Sequence, residues 1–344
     1  MWSNFHVILF DENVGGEHYL GFTNKTSLND LPLWGNFRIS DVLNTTNFAS
    51  IPHTVLRLES PADAESLLAL LGSPKTGKNI LVGRTGNPAA LDWVRLTARL
   101  RKPRGIVKIQ VGKLPSDLYC LEKRKFKELA AACPYGDYMH NLFNRVLFEC
   151  FERIIEYGGF SFHLRNTYEY YRENLMIVDH LKDEEFQGGL YGKLEARTAS
   201  HTVVGDRAVI RNSYLGSGAV VHGSVEGSVV FSGVVIGRNS TIRSSVILPF
   251  NRIEEGVRIE NALVLGGRDR TIERGSSIGG GDGVQNADFP RVIKNGLTVV
   301  GENVNIPSRS RIGSGCLVYG KSDQGKQEQI KAPLDVKDGE TFHL

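Results

Sequence analysis

The regular spacing of aliphatic residues between Val225 and Val264 is the strongest pattern in the chain. The steps of five or six residues join Val225, Val230, Ile236, Ile242, Ile247, Ile253, Ile259 and Val264. Neither an α-helix nor a single β-strand has this period. It is typical of a chain that turns a corner every five or six residues and points one aliphatic side chain inward from each face. Three faces close a coil of seventeen residues, which predicts a hexapeptide-repeat, left-handed parallel β-helix.

Small and turn-forming residues separate these inward positions, as tight corners require. Examples are Gly227-Ser228, Ser232-Gly233, Asn239-Ser240 and Ser244-Ser245. An ordinary β-sandwich with short strands is the alternative. Sandwich strands would not keep one register over forty residues, so the pattern favours the β-helix.

The N-terminal half shows a different pattern, in which short apolar runs alternate with amphipathic segments. We expect strands at residues 5–10, 53–58, 79–83, 105–111 and 160–164, and helices at 60–72, 88–101, 122–132, 139–155 and 167–181. Strands that alternate with helices predict a mostly parallel sheet with helices on both faces, a Rossmann-like α/β fold.

This change of pattern divides the chain of 344 residues. We predict an α/β domain at residues 1–182, a linker at 183–200, a β-helix at 201–320 and a polar C-terminal tail at 321–344. The last coil of a β-helix leaves unpaired backbone groups, and we expect the tail to cover them.

Composition and charge narrow the function classes. Hydrophobic residues make up 41% of the chain and charged residues 23%, and the net charge is +3, too mild to indicate nucleic acid or a membrane surface as a partner. The four cysteines, Cys120, Cys133, Cys150 and Cys316, lack metal-ligand spacing and indicate free thiols in a reducing compartment. With no predicted signal peptide or membrane span, the expected location is the cytoplasm.

Several segments resemble the ADP-glucose pyrophosphorylase family of sugar-nucleotide pyrophosphorylases. Residues 32–41 look like the family's P-F-G-G-K-[YF]-R-[IL]-I-D segment, and residues 166–175 are similar to its T-I-x-S-Y-Y-x-x-N-M helix. Residues 207–213, 229–234, 245–248 and 297–307 resemble its β-helix. The resemblance implies a nucleotidyltransferase domain, shortened here, that precedes the β-helix, and a role in glycogen biosynthesis.

The residues that carry the family's chemistry are mostly replaced. Glucose 1-phosphate attacks the α-phosphate of ATP there, which requires a Gly-rich loop, a cation and carboxylates that hold Mg²⁺. Residues 11–18 keep a glycine pair but add Asp11, Glu12 and Glu17 where phosphate should bind. The family's metal-binding Asp falls on Arg84, and its second metal carboxylate falls near His163. Neither residue ligates Mg²⁺ as a carboxylate does, so we expect no catalytic residue, no metal and no cofactor.

Three residues remain as candidates for binding a ligand or effector. Arg38, near a predicted helix start, is placed to contact a phosphorylated effector, or to form a salt bridge with Asp41. For Asp41, the alternative to ligand binding is a structural role. Arg84 ends a predicted strand, where α/β sheets bind ligands, and a solvated surface arginine is the alternative.

Two further features invite a chemical interpretation. The glycine-rich residues 279–283 resemble a phosphate-binding loop, but no strand-to-helix context surrounds them and no Lys-Ser/Thr follows, so we predict a loop between coils. His201 and His222 are considered because many hexapeptide-repeat proteins are acyltransferases with one catalytic histidine. A surface histidine on a coil is the other interpretation.

Three hypotheses about function follow. The first is a non-catalytic or regulatory subunit that forms a hetero-oligomer with a catalytic ADP-glucose pyrophosphorylase subunit, or a homo-oligomer, and responds to a phosphorylated metabolite. Some members of the family pair two such subunits, and residues 25–28 and 164–166 look like the non-catalytic partner. The second is an active glucose-1-phosphate adenylyltransferase with a divergent site that uses Mg²⁺. The third is a hexapeptide-repeat acyltransferase or an unrelated binding scaffold.

Overall fold

A computed structural model describes residues 4–11, 32, 51–57, 61–84, 96, 99–100, 105–111, 117–133, 141–157, 166–180, 200–267, 270–281, 283–302, 304–320, 330 and 332–343. The chain forms two compact units. The first unit contains Met1–Gly15 and Arg38–His163, and the second contains Gly16–Phe37 and Leu164–Leu344.

The first unit is built on a six-stranded sheet with the order β2-β1-β3-β5-β4-β6. Its strands are β1 (Phe5–Asp11), β2 (His53–Arg57), β3 (Asn79–Arg84), β4 (Val107–Val111), β5 (Leu118–Glu122) and β6 (Arg153–Tyr157). Strand β5 runs antiparallel to both of its neighbours, and all other pairs are parallel. Side chains of β1 alternate between two buried clusters, with Val7 and Leu9 in one and Ile8 and Phe10 in the other. Hydrophobic residues therefore cover both faces of the sheet, as in α/β proteins.

The helices of the first unit are α1 (Pro61–Gly72) and α2 (Lys123–Ala132), followed by a π-helical segment (Asn141–Leu147) that continues into one α-helical turn (Phe148–Cys150). Proline is well suited to the first position of α1 because its missing N–H has no partner in the first turn. Helix α2 buries Phe126 and Ala130, while Arg124, Lys125 and Lys127 are exposed.

The predicted mostly parallel sheet is confirmed, with two differences in its elements. The predicted helix at 139–155 is wrong at its C-terminal end, because Ile154 and Ile155 pair with Lys108 and Ile109 of β4 as part of strand β6. Strand β5 was not predicted, although its residues Leu118 to Leu121 are all buried. The predicted strand at 160–164 and most of the predicted helix at 88–101 lie outside the described residues.

The second unit contains three parallel sheets that form the predicted β-helix. The first sheet contains β7 (Val203–Val204), β10 (Val220–Val221), β13 (Val235–Ile236), β16 (Asn251–Ile253) and β19 (Arg270–Ile272). The second sheet contains β8 (Val209–Arg211), β11 (Ser224–Glu226), β14 (Thr241–Arg243), β17 (Arg258–Glu260), β20 (Ser277–Gly279), β22 (Arg311–Ile312) and β24 (Asp335–Val336). The third sheet contains β9 (Tyr214–Leu215), β12 (Val229–Val230), β15 (Val246–Ile247), β18 (Ala262–Val264), β21 (Thr298–Val300), β23 (Leu317–Tyr319) and β25 (Thr341–His343).

The inward positions stack in register from coil to coil. In the second sheet, one column of paired residues contains Ile210, Val225, Ile242, Ile259, Ile278, Ile312 and Val336. The eight aliphatic residues that revealed the repeat all belong to the single core cluster of the β-helix. This column arrangement confirms the interpretation of the seventeen-residue period.

Hydrogen bonds between side chain and backbone hold the corner between the second and third sheets. The Ser245 N–H donates to Ser228 Oγ at 3.0 Å, and the Ala262 N–H donates to Ser245 Oγ at 3.1 Å. Ser244 and Asn261 precede these corner residues at φ angles of 42° and 50°. A small or amide side chain tolerates this left-handed conformation better than a bulky one.

Helix α3 (Thr167–His180) packs against strands of the third sheet. Asn166 caps its start by accepting the Glu169 N–H at 3.0 Å. The Tyr171 hydroxyl donates to the Ser244 carbonyl at 2.5 Å, and the Tyr170 hydroxyl donates to the Pro32 carbonyl. Helix α3 therefore belongs to the second unit, whereas the sequence pattern placed it in the α/β domain.

The C-terminal end of the β-helix extends beyond residue 320, where the sequence pattern placed its end. Strands β24 and β25 continue the second and third sheets to His343. Leu334 and Val336 are buried in the β-helix core, and Phe342 packs against it. Polar residues separate these apolar ones, and for this reason the sequence pattern predicted a polar tail. The boundary at 182 and nearly all of the linker at 183–200 lie outside the described residues.

None of the described helices is long and apolar enough to span a membrane.

We predict that Ile242→Ala lowers the free energy of unfolding of the β-helix by about 2–5 kcal/mol, because it leaves a cavity in a fully buried column. The measurement is urea unfolding followed by circular dichroism. The control is Thr241→Ala at the adjacent outward position, where the change should stay within about 0.5 kcal/mol. Equal losses in both variants would contradict the inward placement of Ile242.

Candidate functional site

The carboxyl ends of β1 and β3 lie at the topological switch point of the first unit's sheet. Strand β1 pairs in parallel with β2 on one side and with β3 on the other, although the chain reaches β3 directly after β2. Open α/β sheets bind ligands in the crevice outside the carboxyl ends of the strands at such a point. This edge of the sheet is therefore the candidate functional site.

The three strands at this edge all end in a charged residue. Strand β2 ends at Arg57, β1 at Asp11 and β3 at Arg84. Arg57 is the register partner of Asp11, and Arg84 is the register partner of Phe10, one residue before the end of β1. Because consecutive residues of a strand alternate between faces, this register places Arg57 and Asp11 at positions of one face and Arg84 at a position of the other.

The sequence-predicted candidates have different outcomes. Arg84 lies at the carboxyl end of a parallel strand, as the sequence indicated, and its role in anion binding stays a prediction. Arg38 and Asp41 lie outside the described residues, as do His163 and the glycine pair of residues 15–16. Sequence reasoning missed Arg57, because the apolar Leu58 that follows it extended the predicted strand by one residue.

The described strand ends do not fit a bound Mg²⁺ ion. Magnesium prefers carboxylate oxygens and water, with near-ideal octahedral geometry. Asp11 is the single carboxylate at the ends of β1, β2 and β3, and an arginine ends the strand on either side of it. The described residues also contain no group of three or more His, Cys, Asp and Glu side chains that could hold a metal ion.

The histidines considered for acyl transfer lie on the surface of the β-helix. His201 and His222 are both exposed. The ring of His222 lies against Gly205, where an added Cβ would come within 2.5 Å of its Nδ1 atom. The ring of His222 therefore covers Gly205 of the preceding coil while remaining exposed to solvent.

Gly280, Gly281 and Gly283 follow strand β20 in the connection to the next coil and do not form a phosphate-binding loop. Gly280 and Gly281 have φ angles of 88° and 113°, a region open to glycine alone. The chain then packs along the last coils, where Asn286 Nδ2 donates to the Gly315 carbonyl at 3.1 Å and Ile293 is fully buried. No helix begins within the described residues 283–302, so this connection offers no N–H groups of a helix start to a phosphate.

His6 is a buried histidine at the opposite, amino-terminal end of the sheet. Its Nε2 atom lies 2.9 Å from Thr54 Oγ1, and its Nδ1 atom is buried without a hydrogen-bond partner. Burial, and to a smaller extent the nearby His53, lowers the pKa of His6 below 6.5. The imidazole is therefore neutral near pH 7.

Arg270 is the largest fully buried side chain of the β-helix. Its Nη1 atom donates to the Leu265 carbonyl, while Nε and Nη2 are buried without a partner. Burial lowers the pKa of Arg270 to about 9, and the charge of Glu302 opposes this shift. A buried guanidinium with unmade hydrogen bonds costs stability.

Comparison with known proteins shows similarity over part of the chain. Residues 196–300 match the family model described as GlmU-like, C-terminal hexapeptide. A glucose-1-phosphate adenylyltransferase from Desulfitobacterium hafniense is 29% identical over 149 residues, which cover 42% of this chain and 35% of that protein. A protein of the same name from Acetivibrio thermocellus is 26% identical over 141 residues, or 40% of this chain and 33% of the relative.

A third relative with this name, from Desulforamulus reducens, is 36% identical over 119 residues, or 35% of this chain and 28% of the relative. The chain therefore matches only about a third of the length of these relatives. The similarity relates part of this chain to glucose-1-phosphate adenylyltransferases and leaves the activity of the whole protein to be proposed.

We predict that the first unit loses stability when the pH falls below about 6.5, the pKa of an unperturbed histidine. The folded state keeps His6 neutral and the unfolded state binds a proton more readily, so the stabilisation is fully present above this pH and decreases below it. Melting temperatures at pH 7.5 and 5.5 test this. His6→Gln should show a smaller acid-induced decrease, and the exposed control His201→Gln should behave like the wild type. An equal decrease in all three proteins would contradict the prediction.

We also predict that Arg270→Met leaves stability unchanged or raises it by about 1–4 kcal/mol, since an apolar side chain replaces a buried charge. The Leu265 carbonyl keeps a donor in this variant, because Asn251 Nδ2 lies 3.2 Å away. Thermal unfolding gives the comparison, with Arg252→Met at the exposed neighbouring position as control. A strong loss of stability in Arg270→Met alone would show that the guanidinium has an essential partner.

Proposed function

We propose that this chain is a non-catalytic or regulatory subunit of ADP-glucose pyrophosphorylase in glycogen biosynthesis. It would associate with a catalytic subunit that makes ADP-glucose from ATP and glucose 1-phosphate, and modulate that subunit. The similarity to proteins named glucose-1-phosphate adenylyltransferase supports the choice of family. The observation that carries the non-catalytic role is Arg84 at the carboxyl end of β3.

Nucleotidyl transfer places negative charge on the phosphates and needs a metal ion to neutralise it. The resemblance puts the family's metal-binding aspartate at Arg84, and an arginine carries only N–H donors and a permanent positive charge. This end of the sheet therefore loses a metal ligand and gains a group that attracts anions. We infer that it no longer supports metal-dependent transfer.

The β-helix is the part of the chain that we propose for association with the catalytic subunit. The coils of the β-helix share a continuous apolar core, and helix α3 packs against strands of its third sheet. A subunit without chemistry regulates a partner when its effector or its contacts distinguish two conformations of the assembly. A β-helix with a continuous core, in a chain whose strand β3 ends in an arginine, supports this role.

An active glucose-1-phosphate adenylyltransferase with a divergent site is the second candidate. The observation that favours it is the similarity to relatives named glucose-1-phosphate adenylyltransferase, a name that describes an enzyme. This candidate requires Mg²⁺ held by carboxylates outside the three strand ends described above.

To test the proposal, the chain is purified alone and after co-expression with a catalytic glucose-1-phosphate adenylyltransferase from the same genome. We expect the chain alone to form no ADP-glucose from ATP, glucose 1-phosphate and Mg²⁺, and to co-purify with the enzyme and change its KM or its response to phosphorylated metabolites. Calorimetric titration with ATP, with and without Mg²⁺, accompanies the assay. ADP-glucose formation by the chain alone, or ATP binding that needs Mg²⁺, would support the active enzyme instead.

A further inference from the structure

Charged residues of alternating sign form a column on the outer face of the second sheet of the β-helix. They are register partners on the successive strands β8, β11, β14 and β17, in the order Arg211, Glu226, Arg243 and Glu260. Each directly follows an inward residue of the aliphatic column, so its side chain points away from the core. We call these four residues the charge column.

Ion pairs within the chain give the charge column little value for stability. Arg243 Nε lies 3.5 Å from Glu226 Oε2, and these side chains are 50% and 45% exposed. Glu260 pairs with Arg258 of its own strand at 2.7 Å, and Arg211 is exposed. Exposed ion pairs contribute little because water screens both charges. The alternating order is therefore more informative about a partner than about the stability of the fold.

The charge column is complementary to itself when its order is reversed. A second copy of this face, turned about a two-fold axis parallel to the strands, keeps the column opposite itself and reverses the order of the coils. Arg211 then faces the second copy's Glu260, and Glu226 faces the second copy's Arg243. Each contact occurs twice, as in any interface between identical surfaces. A two-fold axis parallel to the β-helix would place each residue opposite its own copy, where like charges repel.

The outward residues on the other side of the aliphatic column fit the same arrangement. They are the register partners Val209, Ser224, Thr241 and Arg258. Reversal places Val209 opposite Arg258 and Ser224 opposite Thr241, so no like charges face each other in this column either. Val209 is 42% exposed, and the aliphatic stem of an arginine covers such a side chain while its charged end stays in water.

We propose that the outer face of the second sheet binds the same face of a second copy of this chain, with the two β-helices antiparallel. Neighbouring coils lie about 4.8 Å apart, so the charge column is about 14 Å long. A contact of this size is smaller than a standard protein interface, and the dimer is therefore weak and sensitive to salt. The inference goes beyond the proposed function and does not depend on it.

The test is sedimentation equilibrium of the full chain over a range of protein concentrations, at about 0.05 and 0.5 M NaCl. We expect the wild type to dimerise reversibly, and less so at the higher salt concentration. Glu226→Arg and Arg243→Glu should each weaken dimerisation at least about tenfold at low salt, because two symmetry-related contacts change from attraction to repulsion. The control is Arg124→Glu on helix α2, where the side chain is 90% exposed. Its dimerisation should equal that of the wild type.

A mixture of the two weakened variants distinguishes contacts between copies from contacts within one chain. Each variant loses the ion pair of Glu226 and Arg243 inside its own chain, and mixing does not restore that pair. Across the proposed interface, position 226 of one variant faces position 243 of the other, and the two charges are again opposite. We therefore expect the mixture to form heterodimers with about the affinity of the wild-type dimer.

Absence of a wild-type dimer, dimerisation that neither substitution weakens, or a mixture that associates no better than its components would overturn the proposal. If the wild type alone stays monomeric while the charge variants lose co-purification with the catalytic subunit, this face binds that subunit and not a second copy.

These outcomes are distinct from a failure of the proposed function. ADP-glucose formation by the chain alone would contradict the regulatory role and leave the dimer unaffected. A chain that does not dimerise but still co-purifies with the catalytic subunit and changes its kinetics would contradict the dimer alone.

Discussion

Burial of one aliphatic side chain per face, in register with the coils before and after it, is the constraint on which the second unit depends. Each two- or three-residue strand is too short to be stable by itself, and a single coil leaves its inward side chains in contact with water. Stacking solves both problems, because Ile242 covers Val225 on one side and is covered by Ile259 on the other. The corner hydrogen bonds and the packing of α3 are possible only because this column fixes the spacing.

The β-helix could be predicted from sequence because its period is local and is repeated many times. Elements that depend on distant partners were harder to predict. Ile154 belongs to a strand because Lys108 pairs with it, and no property of residues 139–155 alone reveals this. The strands near Leu334 and Phe342 were missed for a different reason, since one inward residue per face leaves most of these coils polar.

The candidate site shows a second limit of sequence reasoning. Arg84 was identified because a resemblance drew attention to the end of one strand. The position of Arg57 at this edge follows from the sheet order, in which β2 lies beside β1. The order of strands along the chain does not specify that neighbour. A sheet edge contains residues from segments far apart in sequence. The strand order therefore decides which charged residues share that edge.

The loop of residues 280–297 interrupts the chain between β20 and β21 without disturbing the stack, since Ile278 still pairs with Ile259 and Val300 with Val264. Corners and faces thus respond differently to changes in chain length. A single residue inserted within a face would reverse the inward and outward positions of that strand, whereas a whole segment inserted at a corner leaves every column aligned. Such a fold gains new surface by lengthening its corners while its interior stays the same, and the corners are where related chains can diverge most freely.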